Sequence, residues 1–156
     1  MIIRPSVPED VPAISAMLHA LKAAGKRTRR CDEEMARNHY VLNPDGILTS
    51  VAMEGGACLG LQILSRAYEG NPYGAPMGSG IIGTHVSPDA ARRGIGRALF
   101  AATLEAAQAE GLTLIEAFIQ KTNDEGHAYY GSMGFEPERE DGTALVRAFR
   151  VPASRV

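Results

Sequence analysis

The chain has 156 residues, 45% of them hydrophobic and 22% charged, which is the balance of a single globular domain, here taken as residues 1–156. Its 16 basic and 18 acidic side chains leave a formal net charge of −2, so the whole molecule has no electrostatic attraction to nucleic acid or to an anionic membrane. The apolar runs fall far short of the ~20 residues that span a bilayer, and the first residues lack the apolar core of a signal peptide, so we expect a cytoplasmic protein.

Apolar periodicity and turn residues divide the chain into helices and strands. Pro8, for example, suits the first turn of a helix, and the apolar residues that follow recur every three or four positions. In chain order the sequence predicts a strand at 2–4, helices at 9–24 and 32–40, a hairpin of strands at 47–53 and 57–64, a long loop at 69–80, a strand at 81–87, a helix at 94–110, a strand at 112–119, a helix at 124–133, and strands at 135–139 and 144–151.

The helix at 94–110 sets the fold class. A helical crossover of this length joins strands that lie side by side in parallel, so strands 81–87 and 112–119 are predicted to be parallel neighbours. The remaining strands are expected to pair antiparallel. The sequence therefore predicts one α/β domain with a mixed, mostly antiparallel sheet and helices on both of its faces.

A glycine- and arginine-rich stretch follows the strand that ends at Val86-Ser87-Pro88. It contains Arg92-Arg93-Gly94-Ile95-Gly96-Arg97 at the start of a helix. The two glycines let a ligand approach the backbone, and the unpaired N–H groups of a helix start attract anions, so a phosphate or pyrophosphate site is predicted. No Lys-Ser or Lys-Thr follows the glycines, and Leu99 replaces the third glycine of the dinucleotide fingerprint, which argues against both of those nucleotide motifs.

This stretch resembles the acetyl-coenzyme A signature of the GNAT superfamily of N-acetyltransferases, in which a strand ending V-x-P leads into Q/R-x-x-G-x-G/A. Ala91 stands at the first position of the second part, where the family has Gln or Arg. A second family pattern, N-x-x-A-x-x-x-Y-x-x-x-G-F, is similar to residues 123–135, with Gly126 in place of Ala. Because the order of elements also agrees, the resemblance covers nearly the whole chain.

The resemblance implies a sheet that splays at its parallel pair and a role for each motif residue. Val86 and its neighbours would hold the pantetheine arm of acetyl-CoA through strand backbone, and Asn123 would contact the coenzyme near the next strand. Tyr130 would lie beside the thioester sulfur and give a proton or a hydrogen bond to the departing thiolate. The pyrophosphate would be held by the backbone of Arg92, Arg93, Gly94, Ile95, Gly96 and Arg97.

Transfer to an amine also requires a group that accepts the ammonium proton. His85 is a candidate because it precedes Val86 on the strand beside the presumed thioester and titrates near neutrality. By alternation it points to the face opposite Val86, which is either the acceptor side or a surface packed against a helix. Glu54, Glu69 and Glu116 are weaker candidates.

The predicted function is transfer of acetyl from acetyl-CoA to an amine, carried by a small molecule or a peptide, by direct attack in a ternary complex. An acyl-CoA binding or sensing domain without useful turnover shares every coenzyme motif and stays open, whereas a nucleotide-binding regulator is disfavoured by the failed motifs. The loop at 69–80 is expected to border the acceptor site or a homodimer contact, unless it is only a mobile hairpin tip. Cys31 and Cys58 have no ligand spacing, so free thiols and no metal site are expected.

Overall fold

The computed structural model describes residues 1–153. Its elements are β1 (Ile2–Pro5), α1 (Val11–Ala23), α2 (Glu33–Ala36), β2 (Gly46–Glu54), β3 (Ala57–Arg66), β4 (Gly80–Val86), α3 (Ile95–Ala109), β5 (Leu114–Gln120), α4 (Asp124–Met133), β6 (Glu136–Asp141) and β7 (Ala144–Arg150). Short 3-10 turns precede α1 and α3, and a π-helical turn follows α2. Within the described residues, no helix combines the length and the apolar character needed to cross a membrane.

The strands form one seven-stranded sheet in the order β1-β2-β3-β4-β5-β7-β6. Only β4 and β5 are parallel to each other, and α3 makes the crossover between them. Helices α1 and α2 cover one face, and α3 and α4 cover the other. The predicted fold class, a mixed and mostly antiparallel sheet between helices, is confirmed.

Two apolar layers hold the helices on the sheet. On the first face Ile14 of α1 packs with Leu61 of β3. On the second face Phe100 of α3 packs with Ile115 of β5 and with Phe135. All five side chains are buried, and burial of an apolar side chain of this size contributes about 1.5–3 kcal/mol. These layers fix the positions of β4 and β5, between which the candidate site lies.

The predicted helix at 32–40 is shorter and less regular than expected. The Asp32 carboxylate accepts a hydrogen bond from the Met35 N–H and so begins α2. After Ala36 the backbone widens into a π-helical turn, which is closed where the N–H of Leu42 donates to the carbonyl of Arg37 at 2.7 Å. This turn places the side chain of Tyr40 in the core, where it is 2% exposed.

Residues 67–79 form an irregular loop, close to the predicted range of 69–80, and the loop is held by hydrogen bonds at two places. The Asn71 side chain accepts hydrogen bonds from the N–H groups of Tyr73 and Ala75, both at 3.1 Å. The guanidinium of Arg139 in β6 donates to the carbonyl of Tyr73 at 3.0 Å and to the carboxylate of Glu116 in β5 at 2.8 Å. The loop is therefore anchored to β6 and, through Arg139, to β5.

Candidate active site

The sheet opens between β4 and β5. The two strands pair only over residues 80–82 and 115–117. Beyond these residues β4 continues to Val86 beside β3 alone, and β5 continues to Gln120 beside β7 alone. The backbone N–H and C=O groups on the two facing edges have no strand partner there, so an extended ligand between the strands can form hydrogen bonds with them.

The start of α3 has the features of an anion site. Gly94 has a left-handed φ of +73°, and no side chain caps the helix. Because a helix leaves its first N–H groups without partners, the amides of Ile95, Gly96 and Arg97 are available to a ligand. Arg92 has a φ of +64°, the one positive value of a non-glycine residue in residues 1–153. Left-handed residues in such a turn direct successive N–H groups towards one point, which is a common way to bind an anion.

Three exposed arginines surround the start of α3. Arg93 pairs with Glu54 at 2.7 Å. Arg92 and Arg97 have no carboxylate within ion-pair distance in the part of the chain that the structure describes. Their charge adds to the positive end of the helix dipole, so this end of the site favours a ligand with negative charge.

A cavity of about 910 Å³ joins the start of α3 to the open edge of β4 and to the start of α4. It also reaches the loop that follows α1. The structure thus brings together, along this one cavity, all the residues that the sequence predicts for coenzyme binding and catalysis: Val86, Arg92, Arg93, Gly94, Ile95, Gly96, Arg97, Asn123, His85 and Tyr130.

Tyr130 projects from α4 towards β4 at the base of this cavity. It is 7% exposed, and its hydroxyl lies 2.8 Å from the hydroxyl of Thr84. Burial raises the pKa of Tyr130 far above its ordinary value, although the hydrogen bond with Thr84 acts in the opposite direction. The phenol is therefore protonated at neutral pH, so it can donate a hydrogen bond but cannot serve as a base, and the raised pKa makes full transfer of its proton harder.

A buried hydrogen-bond network surrounds the neighbouring tyrosine, Tyr129. Gln62 of β3 is fully buried, and its Nε2 donates to the hydroxyls of Thr84 at 3.0 Å and of Tyr129 at 2.9 Å. Thr103 of α3 donates in turn to Oε1 of Gln62. The Tyr129 hydroxyl then donates to the carbonyl of Gly96 at 2.8 Å. Tyr129 thus ties α4 to the start of α3, and its one proton is used in that contact.

His85 lies on the opposite face of β4. Its Nε2 is 3.0 Å from the hydroxyl of Tyr40, and the two rings meet edge to face. Burial, followed by the charges of Arg27 and Arg29, lowers the pKa of His85 to about 3. The imidazole is therefore neutral at pH 7. His85 packs against the residues that follow α2 and still borders the cavity.

Asn123 caps α4, since its Oδ1 accepts a hydrogen bond from the N–H of Gly126 at 3.0 Å. A Cβ atom on Gly126 would lie 2.6 Å from Nδ2 of Asn123, so the glycine leaves room for this cap. Asn123 as a coenzyme contact stays a prediction. Of the weaker carboxylate candidates, Glu116 is buried against Arg139 and Glu54 pairs with Arg93, and neither borders the cavity.

Three residues of the site were missed by the sequence reasoning. Thr84 shares the face of Val86 by alternation, so its place could have been deduced. Gln62 is a polar residue within an apolar strand, which is a signal of a buried polar contact. Tyr40 gave no such signal, because its contact with His85 depends on the π-helical turn.

Comparison with known proteins adds independent findings. A sequence model described as the acetyltransferase (GNAT) family matches residues 15–135. A GCN5-related N-acetyltransferase from Kribbella flavida is similar in structure, with 23% identity, a TM-score of 0.75, and coverage of 96% of this chain and 96% of that one. No curated protein sequence matches.

Two further similar structures were solved with a coenzyme. YncA, a putative acetyltransferase from Salmonella typhimurium with its cofactor acetyl-CoA, has 19% identity and a TM-score of 0.72, over 99% of this chain and 96% of that one. The PaiA N-acetyltransferase from Thermoplasma acidophilum in complex with coenzyme A has 16% identity and a TM-score of 0.74, over 96% and 98%. At these identities the structural similarity concerns the fold.

Proposed function

This chain belongs to the GNAT family of acetyltransferases, and on that premise we propose that it transfers acetyl from acetyl-CoA to an amine by direct attack in a ternary complex. The amine nitrogen forms a bond to the thioester carbonyl carbon, the carbon–sulfur bond breaks, the amine loses a proton, and the coenzyme leaves as a thiol. The observation that carries the proposal is the single cavity that joins the start of α3, the open edge of β4 and Tyr130.

Each part of that cavity fits one part of the coenzyme. The amides and arginines at residues 92–97 fit a pyrophosphate, since both the helix start and the side-chain charge favour an anion. The backbone of β4 from residue 83 to Val86 fits the amide groups of the pantetheine arm, because its edge towards β5 has no strand partner. Asn123 borders the same cavity at the start of α4. The two similar structures solved with acetyl-CoA or coenzyme A support this assignment.

Tyr130 is proposed as the proton donor to the departing sulfur. Its phenol is held by packing against Phe135 and by the hydroxyl of Thr84, and its raised pKa favours a hydrogen bond to the sulfur over early transfer of the proton. A backbone N–H near Val86 would meet the carbonyl oxygen as negative charge develops on it. The residues thus supply charge stabilisation at the carbonyl and a proton at the sulfur.

We still propose His85 as the base, but the low pKa of its ring limits that role. With a pKa of about 3 the imidazole is neutral at pH 7 but is a much weaker base than an ordinary histidine, so this pKa counts against His85 as the group that takes the ammonium proton. Its contact with Tyr40 also supports a second role, in which the ring forms a wall of the acceptor side of β4.

The proposal is tested by an acceptor screen that follows release of free thiol from acetyl-CoA. Turnover with one class of amines, well above the rate of acetyl-CoA hydrolysis without an amine, would support the transferase. Tight coenzyme binding with no amine-dependent thiol release would support the alternative, an acyl-CoA binding or sensing domain. We also propose that the protein is cytoplasmic and can form a homodimer. Gel filtration tests whether the dimer forms.

A further inference from the structure

The loop between α1 and α2 places a buried arginine beside the open edge of β4. Arg27 is 8% exposed and borders the same cavity as His85 and Tyr130. Its Nε and Nη2 atoms donate to the carbonyl oxygen of Arg30, at 3.1 and 2.7 Å. Backbone contacts therefore hold the guanidinium in place and do not neutralise its charge.

The remaining guanidinium nitrogen of Arg27 is available to a ligand. Its Nη1 makes no hydrogen bond within 3.5 Å, and no carboxylate pairs with Arg27, in residues 1–153, although the guanidinium lies close enough to the Tyr40 hydroxyl to act on the pKa of that phenol. No buried side-chain nitrogen of these residues lacks a partner, so Nη1 is in contact with solvent and is not sealed in protein. A charged group that is nearly buried and has no counter-ion favours an anionic ligand at its open side.

A second arginine adds to this positive charge. Arg29 is exposed and lines a groove of about 510 Å³ together with His39, whose ring packs against Tyr40 at 4.7 Å. After burial, the charges of Arg29 and Arg27 are the main causes that lower the pKa values of His85 and His39. Their positive potential thus reaches the face of β4 on which His85 lies.

The neighbouring charges on this side of the sheet largely cancel. Arg30 pairs with Asp32 at 2.8 Å, and Lys26 pairs with Glu125 at 3.0 Å. The buried Glu116 forms an ion pair with Arg139. Glu34 lines the smaller groove and Asp124 the larger cavity, and both are exposed to water. Of the lysines and arginines that the loop between α1 and α2 contributes to the two cavities, Arg27 and Arg29 are the ones without a carboxylate within ion-pair distance in residues 1–153.

On the basis of the proposed acetyl transfer, we propose that the acceptor is an amine that also carries an anionic group, a carboxylate or a phosphate. Arg27 binds this group on the His85 side of β4, and Arg29, which lines the neighbouring groove, adds to the positive potential there. The fork of a guanidinium suits either oxyanion. The same positive charge opposes a cationic polyamine. It also lowers the pKa of the amine that is bound beside it, which favours the uncharged nucleophile that the transfer needs.

The test assays the full-length protein with sets of acceptors that differ only in whether they carry an anionic group. Free thiol release is measured for amino acids, for their carboxamides and for the corresponding decarboxylated amines, and, in a separate arm, for phosphoethanolamine against ethanolamine. The anionic member of each set is expected to have a kcat/KM at least ~10-fold higher than the members without the anionic group. This is the ratio expected when one hydrogen bond to a charged group is gained. The arm with the larger ratio distinguishes carboxylate from phosphate, and equal or better turnover of the neutral members would overturn the proposal.

Substitutions test which residues cause the preference for an anionic acceptor. Arg27→Gln should raise the acceptor KM by roughly 10-fold or more and remove the preference for the anionic member, with the coenzyme KM changed less than about 3-fold. Arg29→Gln, at an exposed position where folding is not at risk, should reduce the preference by several-fold. Lys22→Gln removes one charge from the same segment outside both cavities and should leave the preference intact. A rise in coenzyme KM alone for Arg27→Gln would instead place this arginine in the coenzyme site.

A binding measurement separates this inference from the proposed function. In the presence of coenzyme A, calorimetry compares N-acetyl amino acids and N-acetyl ethanolamine phosphate with their uncharged counterparts. Tighter binding of an anionic compound, lost in Arg27→Gln, supports the anion site even if no amine is turned over. Equal binding of charged and uncharged compounds overturns the inference, whatever the acceptor screen shows.

Discussion

The hydroxyl of Tyr130 lies 2.8 Å from the hydroxyl of Thr84, at the point where β4 and β5 separate. Thr84 already accepts a hydrogen bond from Nε2 of Gln62, so its own proton is available to the phenol oxygen. With Thr84 as the donor, the proton of Tyr130 is left to point into the cavity. This contact therefore supports Tyr130 as a positioned proton donor.

The first prediction follows from that contact. Tyr130→Phe should lower kcat by roughly 10 to 10⁴-fold, with the lower end favoured because a coenzyme thiolate is a tolerable leaving group without help. The ring still packs against Phe135, so coenzyme affinity should change by no more than a few-fold. Steady-state kinetics with a competent acceptor measure both quantities.

Tyr129→Phe is the control for this variant. The Tyr129 hydroxyl donates to the carbonyl of Gly96 and accepts from Gln62, so its loss should affect coenzyme KM more than kcat. A kcat for Tyr129→Phe as low as that of Tyr130→Phe would mean that the two tyrosines have been assigned the wrong way round or that both are structural. Wild-type turnover in Tyr130→Phe would point to a proton that comes from water.

The second prediction concerns the start of α3. Acetyl-CoA should raise the melting temperature of the protein whereas NAD and ATP should not, and a ligand at ~100-fold its Kd contributes ~2.7 kcal/mol to the folded state. Gly94→Val should abolish the shift, because no atom of a residue beyond its immediate chain neighbours lies within 4 Å of the place where its Cβ would be, and we assign that space to the pyrophosphate. Thermal denaturation with and without each ligand provides the measurement.

Gly111→Val is the matched variant. Gly111 has a φ of +70° with equally open surroundings, but it lies past the other end of α3. Both substitutions force a side chain into left-handed backbone, at a cost of about 1–2 kcal/mol, so both should lower the melting temperature. Only Gly94→Val should lose the response to acetyl-CoA. Equal stabilisation by NAD, or a full response in Gly94→Val, would contradict the assignment.

Local signals in the chain were enough to predict the order of the elements and the coenzyme end of the site. Helix α3 and its glycine-rich start follow from apolar periodicity and from residues that lie next to one another, and the crossover rule then makes β4 and β5 parallel. The strand predicted at 135–139 is instead β6, Glu136–Asp141, because Phe135 turns into the core before the strand begins.

The acceptor side depends on contacts between distant residues. Tyr40 and His85 are 45 positions apart, and they meet because the π-helical turn rotates the tyrosine inwards. Arg27 lies in the run Lys26-Arg27-Thr28-Arg29-Arg30, and a run of basic residues without an acidic one is typical of a solvated loop. The Arg27 side chain is buried because its guanidinium donates two hydrogen bonds to the carbonyl oxygen of Arg30. No periodicity of the sequence reports contacts of this kind.

The third prediction concerns the loop at 69–80. Arg139→Met should remove the hydrogen bonds to the carbonyls of Tyr73 and Gly74, so amide hydrogen exchange within the loop should accelerate. It also leaves Glu116 without its partner, at a cost of about 1–3 kcal/mol, below that of a fully buried pair because the arginine is one-third exposed. Hydrogen exchange followed by mass spectrometry measures the first effect.

Arg150→Met serves as the control for Arg139→Met, since Arg150 of β7 pairs with Glu138 of β6 at a more exposed position and away from the loop. It should leave exchange in the loop unchanged. If the loop borders the acceptor site, Arg139→Met should also change acceptor KM while coenzyme affinity stays near normal. Faster exchange with unaltered acceptor kinetics and unaltered oligomeric mass would show that the loop is only a hairpin tip.

The fourth prediction is a pH dependence of stability that arises from His85. In the folded chain burial, with help from Arg27 and Arg29, lowers the pKa of His85 to about 3, whereas an unfolded histidine titrates near 6.5. Between these values the unfolded chain binds a proton that the folded chain does not. The contribution of His85 is therefore fully present above pH 6.5 and is lost progressively as the pH falls towards 3.

Urea unfolding at pH 7 and pH 4.5 should reveal this contribution in His85→Gln. The variant keeps a polar partner for Tyr40 but cannot titrate, so its loss of unfolding free energy between the two pH values should be smaller than that of the wild type by about 2 kcal/mol. His19→Gln, which removes an exposed histidine from α1, should lose as much as the wild type. If wild type and His85→Gln lost the same unfolding free energy between pH 7 and pH 4.5, the pKa of His85 would be the same in the folded and unfolded chains. The imidazole would then have to be in contact with water.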